Sequence, residues 1–343
     1  MRIGIDLGGT KTEIICLNAN NGKELYRKRV PSPQHDYAAT IDNMARLVRE
    51  AEQELGQTGT VGVGIPGTVS KSTGLVKNAN SVWLNGHPLD KDLGSALGRE
   101  VRVQNDANCL AVSEATDGAG AGKSVVFAII VGTGCGAGIV VDGQPISGLN
   151  GLGGEWGHNP LPLPRVYVPE GAPQSFWLES AGGSHLEQIS PSYVHKSFPE
   201  MFVQEPLLAE HPGPQCYCGK RGCVESWISG PAFKADHNRI TGRDFSTHDI
   251  AAQAEKGDVL AKQALDRYFD RFARAVSTII NVLDPDIIVV GGGMSNIQNL
   301  YTEVPRIWDK YIFSTEAVET PIVPARFGDS SGVRGAAWLW GNG

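Results

Sequence analysis

Asn105-Asp106-Ala107-Asn108 is the first stretch of this chain whose residue types suit chemistry. Val101 and Val103 read as a short strand, and Leu110, Ala111 and Ala115 recur at helical spacing. Asp106 is therefore expected at a helix start, where backbone N–H groups and the positive end of the helix dipole favour an ionised carboxylate at neutral pH. Such a group suits a weak base that takes a hydroxyl proton late in a phosphoryl transfer. The same residue could equally serve as a plain N-cap.

Two glycine-rich turns offer phosphate-binding chemistry. Gly8-Gly9-Thr10-Lys11-Thr12 interrupts apolar residues 2 to 17, and Gly132-Thr133-Gly134-Cys135-Gly136 interrupts the apolar segment 125 to 143. Glycine lets the backbone approach a ligand closely, and threonine adds a hydroxyl donor. Each turn alone also fits a plain hairpin. Their recurrence, each at the start of one half of the chain, predicts a duplicated α/β domain with the two turns facing across a cleft.

A third chemical cluster is Cys216, Cys218 and Cys223, spaced by glycines that give the loop room to wrap. Three closely spaced thiols suit tetrahedral zinc, and His158, which follows the Gly turn at 153–157, is the candidate fourth ligand; free thiols are the alternative. Four protein ligands would make the zinc structural and leave no open catalytic position.

The remaining elements must position these groups. An amphipathic helix is expected over 41–55, a strand over 61–65, a buried helix over 260–283 and a fully apolar strand over 287–290. That last strand runs into Gly291-Gly292-Gly293, at the strand end where an α/β sheet receives a ligand, here the adenosine part of a nucleotide. Residues 77–90 form a polar loop rich in asparagine around Trp83, of the kind that lines sugar sites. Residues 329–340 predict a capped helix folding back onto the first domain. Half of the chain's 20 prolines lie between Pro160 and Pro214, which excludes one long helix there and predicts a surface loop with a short helix near Gln174–Leu178. Two familiar motifs fail on context. Gly62-x-Gly64-x-x-Gly67 is followed by a polar loop, and the Walker-like stretch ending at Gly122-Lys123 has Asp117 where its first glycine is required.

The 343 residues are enough for two domains. A net charge of −7, from 30 basic and 37 acidic side chains without a dense basic run, argues against nucleic acid or an anionic membrane as a partner. The longest apolar run, Val125–Val131, is too short to span a bilayer, and Met1 leads directly into a strand, so a cytoplasmic protein is expected.

Taken together, DLGGTKT, NDANCLA, VGTGCGAG, GEWGHNP and CYCGKRGC resemble, in order, the motifs of the ROK family of sugar kinases and repressors. VKNANSVWLNG and GDSSGVRGAAWLW are most similar to its bacterial fructokinases of the manno(fructo)kinase type. The resemblance implies a two-domain actin-like and hexokinase-like ATPase fold with duplicated α/β domains around a cleft: residues 1–117, rejoined by a C-terminal helix at about 329–343, and residues 118–328. It implies ATP-dependent phosphorylation of a hexose 6-hydroxyl, fructose first, with Asp106 as general base. Asn105, Asp106, Glu155, His158 and Glu225 would bind the sugar, with Gly67 and Asn80 nearby. Gly8, Gly9, Thr10, Lys11, Thr12, Gly132, Thr133, Gly134, Gly291, Gly292 and Gly293 would hold the nucleotide with Mg2+. Structural Zn2+ would sit on His158, Cys216, Cys218 and Cys223, and a homodimer is implied. The connection from His158 to Cys216 is longer than usual for the family, marking an insertion at about 161–215. A repressor of this family would carry an N-terminal helix-turn-helix, for which a first turn at residue 8 leaves no room; a catalytically silent sugar sensor is the other alternative.

Overall fold

The computed structural model describes residues 1–168, 170 and 201–341. Two five-stranded sheets share one design. In the first, the order is Glu24–Pro31, Lys11–Leu17, Arg2–Leu7, Thr60–Ile65, Val101–Asn105. In the second, it is Gln144–Pro145, Cys135–Val141, Val125–Val131, Ile287–Gly291, Ile322–Pro324. Each central strand pairs antiparallel with the strand that follows it, through a glycine turn, and parallel with a strand reached by a crossover. The repeat expected from the two Gly/Thr turns is thus a repeat of whole sheets. Strand Ile287–Gly291 is buried along its length, as its unbroken apolar run requires.

The elements read from periodicity are present, with longer ends. Helix Tyr37–Leu55 starts four residues before the expected Ile41, because the Asp36 carboxylate accepts the Ala39 amide and caps it there. It buries Ile41, Met44, Leu47, Val48 and Ala51. Helix Val259–Leu283 buries one face against the second sheet. Residues 66–70 turn from strand Thr60–Ile65 into a short strand, Thr68–Val69, so the Gly62/Gly64/Gly67 pattern opens no helix.

Helix Asp106–Thr116 joins the two halves. Leu110, Ala111 and Val112 pack with Val126, Ala128 and Val140 of the second sheet, and with Val333, Ala337 and Trp338 of the C-terminal helix Ser331–Trp338. That last helix packs on the first sheet at backbone contact: a Cβ added to Gly4 would lie 2.1 Å from Val333 O, and one added to Gly62 would lie 2.0 Å from Ala336 O. Its expected cap is absent, because Ser330 makes no side-chain capping bond. Instead the Ser331 hydroxyl donates to Glu114 Oε1 over 2.8 Å, tying the two helices together. Glu114 is fully buried and also accepts the amides of Ala119 and Arg326.

Within the insertion, the described parts are fastened to the second domain. Val166–Tyr167 pairs in parallel with Phe202–Val203, and buried Glu210 accepts from Arg271 Nε at 2.8 Å and Arg274 Nη2 at 2.9 Å. The short helix expected near Gln174–Leu178 lies outside the described residues. Among the described residues, no helix is long and apolar enough to cross a membrane.

Candidate active site

A cavity of about 310 Å³ opens between the two sheets, a size that suits a small molecule. The first domain lines it with Gly67, Asn80, Asn105 and Asp106, and the second with Gly132, Thr133, Gly134, Glu155, His158 and Glu225. All the residues expected to bind the sugar therefore share one cavity with the second Gly/Thr turn.

Asp106 occupies the first position of its helix, and Asn105 is the N-cap, its Oδ1 accepting the Ala107 amide at 2.9 Å. The other end of the Asn105 amide donates to Gly67 O over 3.2 Å, joining the helix start to the neighbouring wall. Gly67 has no room for a side chain, since a Cβ would lie 2.9 Å from Ala79. The Asp106 carboxyl is shifted opposite to the expected direction. Burial raises its pKa and outweighs the Ala107 amide, and the nearby Glu155 charge raises it further. A helix start alone carries neither this burial nor the Glu155 charge.

Asp6 was not legible as a site residue. It lies at the end of strand Arg2–Leu7, and burial, then the charges of Asp106 and Glu13, lift its carboxyl to about 6 despite Arg29. Burial raises both carboxyls and the Asp106 charge raises Asp6 further, so the two neighbouring oxygen donors fit Mg2+. The only sequence signal was a carboxylate two residues before a glycine turn.

The two glycine turns differ. Gly230, at the start of helix Gly230–Thr241, donates its amide to Gly132 O over 2.8 Å, so a helix N-terminus lies against the second turn. The first turn, residues 8–12, does not line the cavity. Gly9, Thr10 and Lys11 are exposed, and Gly8 O accepts the Ser32 hydroxyl at 2.8 Å. Thr12 is fully buried with Oγ1 2.8 Å from Ser32 Oγ, so its hydroxyl is engaged within the protein. In the third glycine run, Gly292 reaches the cavity, Gly293 is open to solvent, and Gly291 is buried beside Leu110. Gly291 therefore serves helix packing.

The expected metal cluster is assembled. One donor atom each from His158, Cys216, Cys218 and Cys223 lies within 4.8 Å of all the others. His158 Nδ1 is 3.6 Å from Cys216 Sγ, and Cys218 Sγ is 3.6 Å from Cys223 Sγ. Bridge Pro160–Cys223 holds the two segments together, bridge Gln215–Arg221 closes the cysteine loop, and left-handed Gly219 and Gly222 turn it. Four convergent thiol and imidazole donors fit tetrahedral zinc. With Nδ1 turned to the sulfurs, His158 presents Nε2 to the cavity side, 3.0 Å from the Tyr217 hydroxyl. Tyr217 lines the cavity and was missed, because between two cysteines its ring reads as loop filler.

Glu155 and His158 are carried on one short turn, Glu155–His158, that can lie flat only on glycine: a Cβ at Gly154 would meet Ala137 O at 2.0 Å, and one at Gly157 would meet Cys135 O at 2.0 Å. Glu225 opens helix Glu225–Ile228, two residues after the last cysteine, Cys223, and accepts the Cys135 amide.

The ROK family model matches residues 2–342. An N-acetyl-D-glucosamine kinase of Yersinia enterocolitica is 34% identical over 339 residues, covering 99% of each chain. One from Haemophilus influenzae is 34% identical over 340 residues, again covering 99% of both. The crystal structure of a ROK hexokinase from Thermus thermophilus superimposes with a TM-score of 0.75 at 25% identity, covering 98% of this chain and 97% of that one. The architecture is the two-domain α/β, actin-like and hexokinase-like ATPase fold.

Proposed function

The chain belongs to the ROK family, and from that premise we propose that it is an ATP-dependent hexose kinase acting on the sugar 6-hydroxyl. The observation that carries this reading is that Asp106 shares one cavity with the Gly132–Gly134 turn and with the hydroxyl-binding groups Asn105, Glu155, His158 and Glu225. The Asp106 carboxylate takes the hydroxyl proton as the sugar oxygen forms its bond to the γ-phosphorus. The bond from that phosphorus to the β–γ bridging oxygen breaks, and ADP leaves with the electron pair. A pKa raised by burial makes Asp106 a stronger base than a solvated aspartate. Mg2+ near Asp6 would neutralise phosphate charge. Zinc on His158, Cys216, Cys218 and Cys223 would hold the loop that carries His158, Tyr217 and Glu225 against the sugar.

The sugar proposed is N-acetyl-D-glucosamine, supported by the names of relatives that match the chain from end to end. Fructose, suggested by the VKNANSVWLNG and GDSSGVRGAAWLW stretches, comes second, ahead of mannose and glucose. The presence of Asp106 in the cavity favours catalysis over silent sugar sensing. ATP turnover on a panel of these four sugars, with the phosphorylated carbon located by NMR, tests the reading. It requires N-acetyl-D-glucosamine 6-phosphate as the leading product, and background turnover on every sugar would remove it. The homodimer is checked by sedimentation of the same preparation.

A further inference from the structure

Resting on the kinase reading, we infer that Gln104 is a positioning residue that couples the Asp106 helix start to the loop carrying Glu155. Its carboxamide orientation is fixed by its neighbours. The Asn105 amide donates to Gln104 Oε1 at 2.8 Å, and Asn108 Nδ2 donates to the same oxygen at 3.2 Å. A backbone N–H can only donate, so this atom is the oxygen, and Nε2 is the end that points across the cleft. There it donates to Ser147 Oγ of the second domain over 3.0 Å.

Ser147 belongs to a compact loop. Gly153 N donates to Ser147 O at 3.0 Å, and a Cβ at Gly153 would lie 2.2 Å from Ile146 O. The chain then passes through Gly154 to Glu155. A second tether, Lys77 Nζ to Asn150 O at 3.0 Å, ties the same loop to the first domain. The loop's own surface supplies little hold, since Leu149 is 85% and Leu152 is 52% exposed. Two polar tethers therefore carry the register between the base and the sugar-binding carboxylate. Gln104 is the one that also fixes the backbone adjoining Asp106.

The coupling predicts a division of effects. Ser147→Ala removes only the cross-cleft bond and raises the sugar KM about threefold to tenfold, with the larger effect on KM than on kcat; Ser147→Thr restores the hydroxyl and the affinity. Gln104→Met also removes the acceptor for Asn105 and Asn108, and lowers kcat at least tenfold as well. Hydrogen exchange of the ligand-free protein reads the contact without catalysis: amides of residues 147–153 exchange faster in both variants, and those of 105–108 only in Gln104→Met. Unchanged exchange, or a loss of thermal stability with kcat and KM as in the parent, overturns the coupling. Inactivity of the parent protein would remove the kinase reading while leaving the exchange result to judge Gln104.

Discussion

Glu225 Oε2 accepts the Cys135 amide hydrogen over 2.8 Å, so a carboxylate that lines the cavity is bonded to the turn that would face the phosphates. The turn is shaped around this bond, because a Cβ on Gly134 would sit 2.9 Å from the same oxygen. Such a bond would hold phosphoryl donor and acceptor in one frame, the condition for an in-line transfer.

Glu225→Gln keeps an acceptor but loses its charge. Hydrogen bonds to charged groups contribute about 1.5–3 kcal/mol, so kcat/KM for the sugar should fall roughly tenfold to 100-fold. The KM for ATP should rise as well, because the turn loosens. Steady-state kinetics with each substrate varied in turn checks this, and an ATP KM equal to that of the parent would separate the two sites.

The His158, Cys216, Cys218 and Cys223 cluster should retain about one zinc per chain through purification, read by elemental analysis. Chelation or Cys216→Ser should raise the sugar KM, by about tenfold to 100-fold on the scale of groups that orient a site. Metal-free protein with an unaltered sugar KM would sever the metal from the substrate.

Glu210 should confer acid sensitivity. Burial alone would raise its carboxyl, but the guanidiniums of Arg274 and Arg271 outweigh burial and hold it at about 2, below the ordinary 4.5. A depressed folded-state pKa stabilises above the unfolded value, so this contribution is complete above about pH 4.5 and fades as pH falls toward 2. The shift corresponds to about 3 kcal/mol. Glu210→Gln should lower stability at neutral pH by about 3 kcal/mol, because Arg271 and Arg274 lose the carboxylate they share and keep only Asp236 and Asp270, and should flatten the acid limb in denaturant titrations from pH 7 to 3. An acid limb as steep as the parent's would assign the sensitivity elsewhere.

Gly4→Ala should destabilise the junction between the first sheet and the C-terminal helix by about 3 kcal/mol or more, since the new methyl meets Val333 O at 2.1 Å. Gly56→Ala, at a left-handed helix end with nothing within 4 Å, should cost about 1 kcal/mol through backbone strain alone. Thermal unfolding of the two variants compares close packing with strain.

Much of this was legible locally. Glycine turns between alternating apolar residues announce hairpins, and the 3.6-residue spacing of Phe269, Phe272, Val276 and Ile280 announces a buried helix. The cysteine spacing announces a metal loop, and only the choice of His158 required reaching across the insertion. What stayed hidden is tertiary. The Asp106 shift reverses through burial and the charge of Glu155 from the far side of the cavity, and the Asp6 carboxyl is raised partly by the charge of Asp106, 100 residues on. The Glu210 anchor depends on arginines 61 and 64 residues away. The two Gly/Thr turns read alike in sequence, yet the second lines the cavity while in the first Ser32 bonds both the Thr12 hydroxyl and Gly8 O.

The most direct test of the central claim is single-turnover phosphoryl transfer to N-acetyl-D-glucosamine by the parent protein and by Asp106→Asn, with sugar and ATP affinities measured alongside. The account predicts that the variant binds both ligands within a few-fold of the parent while its transfer rate falls by about 10²–10⁴, the range for loss of a positioned base. A variant that transfers phosphate within tenfold of the parent rate would contradict the assignment of Asp106.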